Sequence, residues 1–466
     1  MNSKITLPQL LESSSAKKFL FLGREGLFTE SEIVRFLKKY KITTTKNLEE
    51  GVVATIEPLN LNPLEEDISN DAYDKKIPSF GLDTFEKLLS EGMNDDELLM
   101  AIKLTNDQGR VFRLLGNEHI SEELFVKLLM MYVWHNDEED NREDRDTIMY
   151  TLKRYINIKP NEADLHYSYL TLRRLATEAR NPKLLLALIG FPNFDFLIRG
   201  KEKVSLRETV ARNTYIDTEV ISKLVSLRDT KVDVALACNT AVALPLLQTL
   251  LTKENEDINK ALATNTNIDN ILFTELLNKE DTAVQLLLWS QPINSVRLEI
   301  VDAQGLESEL FATIGANEKL DKQVINRLIA HDNKALISHL AGNDTLSHTQ
   351  LEKIYAKGMK DSFQFLAINP ASSVQMLEML YTTYDETEIH VALAMNRNTS
   401  EQMLQELYHK NTLEIHRCMA SNPSIPLDIL DVLKVDTRLQ NELSKNPILI
   451  KGYETVLDYD KKAVQF

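Results

Sequence analysis

Through the second half of this chain one residue recurs at a nearly fixed interval. Asparagine stands in one local context at Asn213, Asn239, Asn265, Asn317, Asn343, Asn369, Asn396, Asn422 and Asn446, with Gln291 filling the one gap. The steps between neighbours are 26, 26, 26, 26, 26, 26, 27, 26 and 24 residues. A fixed period of this size marks a solenoid, in which each unit buries its apolar face only against its neighbours. Helix pairs fit the pattern around each anchor. Seven and three residues before it the chain is almost always apolar, as in Ile258 and Leu262 or Leu336 and Leu340. Apolar residues four apart share one helical face, which predicts a short helix A before each anchor. Eight and eleven residues after it come pairs such as Phe273 and Leu276, or Leu351 and Ile354, the apolar stripe of a helix B.

Between the two helices the anchor is expected to turn the chain. Asparagine tolerates the left-handed backbone region and bonds its own nearby backbone, so the nine anchors are read as structural. Proline follows directly at Pro292, Pro370, Pro423 and Pro447, where it suits the first turn of a new helix. Two residues before the anchor the side chain is small in nine of the ten units, as in Ala263 and Ala341, which suits close approach of a neighbouring helix. Trp289 is the exception, in the unit that also loses its asparagine and carries Glu299 and Asp302 on its helix B stripe. A distorted unit or kink is expected there, with Trp289 repacking around it or, as a candidate partner-binding residue, serving as a hot spot.

"IHRCMASNPSIPLDILDVL", Ile415 to Leu433, resembles the unit of the leucine-rich repeat variant family of bacterial proteins; "INKALATNTNIDNILFTEL", Ile258 to Leu276, follows it less closely. The resemblance covers about half the chain and implies a right-handed superhelix of paired short helices, with general HEAT-like repeats as near neighbours. The units here are slightly longer, and no N-terminal cysteine cluster for an iron–sulfur centre is present.

The first ninety residues have another texture. "KFLFLG" reads as a buried strand, "TESEIVRFLKKY" as a helix opened by a capping box, and "ITTT" and "GVVATIEP" as β-branched strands. A helix from Pro63 to Lys75, a short strand at Ile77 to Phe80 and a helix from Leu82 to Gly92 complete the order β-α-β-β-α-β-α. That order, with "AYDKKIPSFGLDTFEKLL" from Ala72 to Leu89, resembles a BRCT domain. The resemblance implies one parallel sheet with Phe85 buried against it. Leu22, Ile68 and the Tyr40-Lys41 pair depart from the family's phosphate-binding and glycine positions. Arg24, just after Gly23, is kept as a candidate anion contact. "GREG" has too few glycines for a dinucleotide turn.

From Met93 to Lys203 the chain reads as helical and irregular. "LLGNEHISEELFVKLL" repeats the anchor logic around Asn117. "HNDEEDNREDRD" reads as a solvated acidic run, since it lacks the glycine of a calcium loop. The expected domains are therefore 1–92, 93–203 and 204–450, followed by a C-terminal tail at 451–466.

The formal charge of −17 argues against a dedicated nucleic-acid surface. The two cysteines, Cys238 and Cys418, suit a reducing compartment, no apolar run is long enough to span a bilayer, and a cytoplasmic protein is expected. The nine histidines make no zinc motif, and P-loop, nucleophile-elbow and C-x-x-C patterns are absent. No cofactor or metal is expected. His390 and His416 share the place six before their anchors and could form a polar stripe. The whole reads as a mainly α chain, a right-handed α-solenoid of about ten 26-residue units behind a BRCT-like α/β head. Its expected role is a non-enzymatic protein–protein interaction scaffold, with the head docking one partner, DNA metabolism being one setting for it, and the repeats another. The alternative is a HEAT-like DNA-binding protein or DNA-glycosylase-type repair enzyme. That enzyme needs stacked basic residues, and the row from Arg207 and Asp233 to His416 and Gln440, six before each anchor, is not basic.

Overall fold

The computed structural model describes residues 6–13, 17–23, 26–135, 141–156, 165–198, 202–303 and 309–450. The chain is mainly helical, with a small parallel sheet near its N-terminus, and it divides into two compact units after Ala241.

The sheet domain opens with helix α1 (Leu7–Glu12), which the sequence reading did not anticipate, followed by β1 (Lys17–Phe21). Next come α2 (Glu30–Lys38), β2 (Ile42–Thr45), β3 (Val52–Glu57), α3 (Pro63–Asp74), β4 (Ser79–Gly81) and α4 (Leu82–Gly92). All strands run parallel in the order β2-β1-β3-β4. Thr29 and Glu32 form the expected capping box of α2, each bonding the other's backbone N–H. Phe85 is fully buried and meets Phe21 edge to face at 5.2 Å. Glu32 also forms a buried ion pair with Arg110 of the helix Gln108–Leu115, so the sheet domain packs against the helices that follow. One element between Met93 and Lys203 differs from the helical expectation. Strands β5 (Asp195–Ile198) and β6 (Glu202–Ser205) pair antiparallel, burying Phe196 and Val204.

In the repeats each helix A ends near its anchor and each helix B begins soon after it. Leu247, Phe273, Leu351, Leu377, Leu404 and Leu430 are all buried at the expected places on helix B. Its start is set by a cap four residues after the anchor: Asp217, Asp269, Asp321, Ser373 and Ser400 each accept a backbone N–H of the first turn.

The anchors adopt extended backbone, with φ near −78° at Asn265 and −70° at Asn422, so the expected left-handed turn is not there. It lies fifteen residues later, after helix B, at Arg228, Glu254, Glu280, Gly358 and Asn411. The next residue then caps the following helix A, as Asp229, Asn255, Asp281 and Thr412 do.

The anchor amide links one unit to the one before. Asn343 Oδ1 accepts from Thr345 N at 3.0 Å, as the turn reading expects. Its Nδ2 donates to the carbonyls of Gly315 and Asn317, both at 2.9 Å and both in the preceding unit. Asn369, Asn396, Asn422 and Asn446 make the same two donations, each to the previous anchor and to the small residue two before it. Asn239 does so in the first unit, to Ala211 and Asn213. Every one of these anchors is buried. The small residue is thus the place where the next helix A comes close enough to read a carbonyl. At Gly315 an added Cβ would lie 2.9 Å from the Leu336 carbonyl oxygen.

Gln291 keeps the ladder with a longer arm, donating to Ala263 and Asn265. Its Oε1 accepts from the buried Arg297 guanidinium, which also bonds the carbonyls of Pro292 and Ile268 and lies 4.9 Å over the Phe273 ring. The distortion expected in this unit is taken up by that arginine. Helix A of the next unit is a short α segment, Glu309–Ala312, tightened into a 3₁₀ turn at Thr313–Ala316.

Candidate interaction surfaces

Helices Phe363–Ile368, Thr387–Met395 and Leu413–Ser421 are the A helices of three successive units, and they pack side by side. Their inward positions, such as Phe363, Leu366 and Ala367, are buried. The positions one and four before the anchor lie three apart on one side of helix A, and at Phe365 and Ile368 that side faces outward. One before the anchor, most units hold a small or short side chain, such as Thr264, Ser290, Ala316 and Gly342. Here that place holds Ile368 and Met395, 41% and 44% exposed, and Phe365, four before its anchor, is 36% exposed. The Cδ1 atom of Phe365 lies 3.6 Å from where a Cβ on Gly342 would sit, so the ring reaches over the neighbouring helix. At the starts of the same helices stand Asp361, Glu388 and Glu414, all exposed and, among the described residues, none in a salt bridge.

Three residues considered for partner binding can be placed, and two of them are inside. Trp289 is 2% exposed: its ring packs into the core and its carbonyl serves as a ladder acceptor for Asn317. It is therefore not a surface hot spot. The large ring is tolerated because its unit is the one rebuilt around Gln291 and Arg297. His390 is 3% exposed, so the polar stripe imagined with His416 does not form as drawn. The reason is its column: Phe311, Ile337 and Phe363, at the same place in earlier units, are all core residues. Burial, followed by the Lys410 charge, pushes the His390 pKa down. His416 is half-buried, stacked on Tyr408 at 5.0 Å. Arg24 lies outside the described residues.

The row six before the anchor is thus largely interior, and its charge does not report on an outer face. The outer columns do: eight before the anchor stand residues such as Lys231, Asp257, Ala335, Asp361, Glu388, Glu414 and Arg438, a mixed set with an acidic run.

In the sheet domain, Gly23 follows β1 with φ of +81° and its N–H points to α3, where Glu65 Oε1 accepts it at 3.0 Å. A carboxylate of the chain itself therefore holds the amide that an anion would use at this strand end. Nearby, Glu86 of α4 is buried and accepts from Leu27 N at 2.6 Å. Burial raises its pKa, opposed by that hydrogen bond and reinforced by the Asp83 charge. Glu32 moves the other way. Burial pushes it up, but the Arg110 and Thr29 hydrogen bonds and the Arg110 charge bring the net shift down.

Sequence reasoning passed over a third polar cluster. Asp144, in the helix Arg142–Tyr155, is buried and accepts from Tyr132 Oη at 2.7 Å and from His135 N at 3.0 Å, with His135 Nδ1 also at 3.0 Å. Burial, then the Asp144 hydrogen bond, raises the Tyr132 pKa. The cluster fastens the two sides of the acidic run; the only signal in the sequence was the His-x₈-Asp spacing, which specifies nothing by itself. Among the described residues there is no group of three or more metal-ligating side chains, and no helix is long and apolar enough to cross a membrane. Comparison of the chain with protein-family models, with curated proteins and with solved structures finds no match.

Proposed function

We propose that this protein is a non-enzymatic protein–protein interaction scaffold, an α-solenoid whose A-helix face binds one partner while a BRCT-like head docks another. The observation that carries the reading is the row of outward side chains on neighbouring A helices, where Phe365, Ile368 and Met395 are exposed together. The inter-unit ladder supports it, because rungs from Asn369, Asn396 and Asn422 hold neighbouring helices in register and present such a row as one surface. The BRCT-like reading draws support from the all-parallel order β2-β1-β3-β4 and from buried Phe85. Glu65 on the Gly23 amide disfavours a phosphate-dependent mode for the head, so its docking is proposed through protein contacts.

The experiment is affinity purification of the tagged full-length chain from its host, with mass spectrometry of the retained proteins. A reproducible partner whose retention needs the second unit supports the scaffold. The rival, a DNA-repair glycosylase, is checked by titrating duplex DNA at two salt concentrations with a base-release assay on methylated DNA. Salt-resistant binding or release of a base overturns the scaffold reading, because weak contact through scattered lysines fades steeply with salt.

A further inference from the structure

We propose that the outer face of helices Phe363–Ile368, Thr387–Met395 and Leu413–Ser421 docks a basic amphipathic helix of a partner protein, its apolar side on Phe365, Ile368 and Met395 and its basic side against Asp361, Glu388 and Glu414. The proposal rests on the scaffold reading and names the face and the chemistry of its partner.

Two observations meet on this surface. The first is apolar: three large side chains exposed on adjoining helices, two of them, Ile368 and Met395, at a place that is small or short in most other units. The second is charge. The three carboxylates recur at one place in three consecutive units, and among the described residues no salt bridge neutralises them. Further along, Glu442, four before its anchor, has a buried Oε2 without a hydrogen-bond partner. Arg417 stands among these acids on the outer face, so the face is acidic in balance rather than uniformly so.

The geometry selects a helix as the occupant. An extended peptide gains its affinity from main-chain hydrogen bonds at a sheet edge, and packed helices offer none. Neighbouring helix axes lie about 10 Å apart, so three helices span about 20 Å, the length of roughly fourteen residues of a partner helix. Apolar residues at i, i+3, i+4 and i+7 on that helix would cover the exposed trio, and lysine or arginine on one flank would reach the carboxylates. A second copy of this chain is a poor occupant, because a two-fold contact would set its acids against the same acids. An anionic membrane surface is repelled for the same reason.

The test uses the full-length protein and a fluorescein-labelled peptide of about 18 residues with leucine at i, i+3, i+4 and i+7 and lysine elsewhere. A control peptide carries glutamate in place of each lysine. Two variants alter exposed positions only: Phe365→Ser with Met395→Ser, and Asp361→Asn with Glu388→Gln and Glu414→Gln. Fluorescence anisotropy should give saturable binding of the lysine peptide, weakened roughly tenfold or more by each variant. The glutamate peptide should not bind. Hydrogen exchange of the parent protein should slow in residues 361–421 when the lysine peptide is added, a readout that needs no variant. Equal affinity across parent and variants, equal binding of the glutamate peptide, protection elsewhere, or preferential binding to phosphatidylserine vesicles each overturns the proposal. A host protein retained equally by parent and by both variants would overturn this face while leaving the scaffold reading in place.

Discussion

At the scale of single residues, the anchor asparagine does two jobs with one amide. Its oxygen holds the local turn and its nitrogen reads two carbonyls of the preceding unit. A turn residue alone could be aspartate, which makes the same local bond. A rung cannot, because a carboxylate offers no donor and would face two carbonyl oxygens. Asn343→Ala should therefore cost about 2–4 kcal/mol, more than a lost turn residue, since it leaves buried carbonyls without donors. Asn343→Asp should cost more than Ala, which denaturant melts of the full chain would check; equal stability of Asp and Asn would remove the ladder role. Glu86 makes a pH prediction. Burial raises its folded pKa above the ordinary 4.5, so the folded state holds the proton more tightly than the unfolded chain. Stability from this group should fall as pH rises from about 4.5 through the raised value. Glu86→Gln keeps an acceptor for Leu27 N and should flatten that slope in melts taken across the pH range.

At the scale of the element, each unit has two different turns. The turn from A to B uses an extended anchor, and the turn from B to A uses a left-handed residue at Arg228, Glu254, Glu280, Gly358 and Asn411. Glutamate at φ of +50° and +54° at Glu254 and Glu280 is strained, because its Cβ crowds the following carbonyl. Glu280→Gly should stabilise by roughly 0.5–1 kcal/mol, as relief of strain outweighs the added freedom of the unfolded chain; a loss of stability would mean that another contact holds Glu280. The opposite holds at Gly315, where the Leu336 carbonyl leaves no room for a side chain. Gly315→Ala should cost about 1–3 kcal/mol and lower the thermal midpoint, as overpacking does.

At the scale of the whole molecule, the sheet domain is tied to its following helices by Arg110 and Glu32, whose side chains are 6% and 9% exposed. Removing one partner of such a pair leaves a buried charge and costs about 3–5 kcal/mol, whereas replacing both with apolar residues is often neutral. Arg110→Met should accelerate hydrogen exchange at the slowest amides of β1 and β3, and the added change Glu32→Leu should slow it again. If Arg110→Met left those amides unchanged, the two parts would be stabilised independently. Asn117 on Ser90 and Arg35 on Glu97 add polar contacts across the same junction. The junction at residue 92, where the β-α-β-β-α-β-α pattern ends, is therefore a packed seam.

The sequence by itself determined the period, the two helices of each unit, the small residue before each anchor and the β-α-β-β-α-β-α order of the head. These rest on local rules: the spacing of apolar residues, the choice of caps and β-branched runs. Leu262, Ala263 and Phe273 are buried where that spacing put them. The tertiary structure decided what no local rule contains. Whether an anchor amide bonds its own turn or a carbonyl 26 residues away depends on how close the next helix comes. The burial of Trp289 and His390 depends on which columns the stacking closes. The carboxylate held by Gly23 comes from Glu65, 42 residues along the chain, and the Glu32 partner is 78 residues away. Such pairings are fixed by packing, which brings distant residues together at no cost visible in their neighbours in the chain.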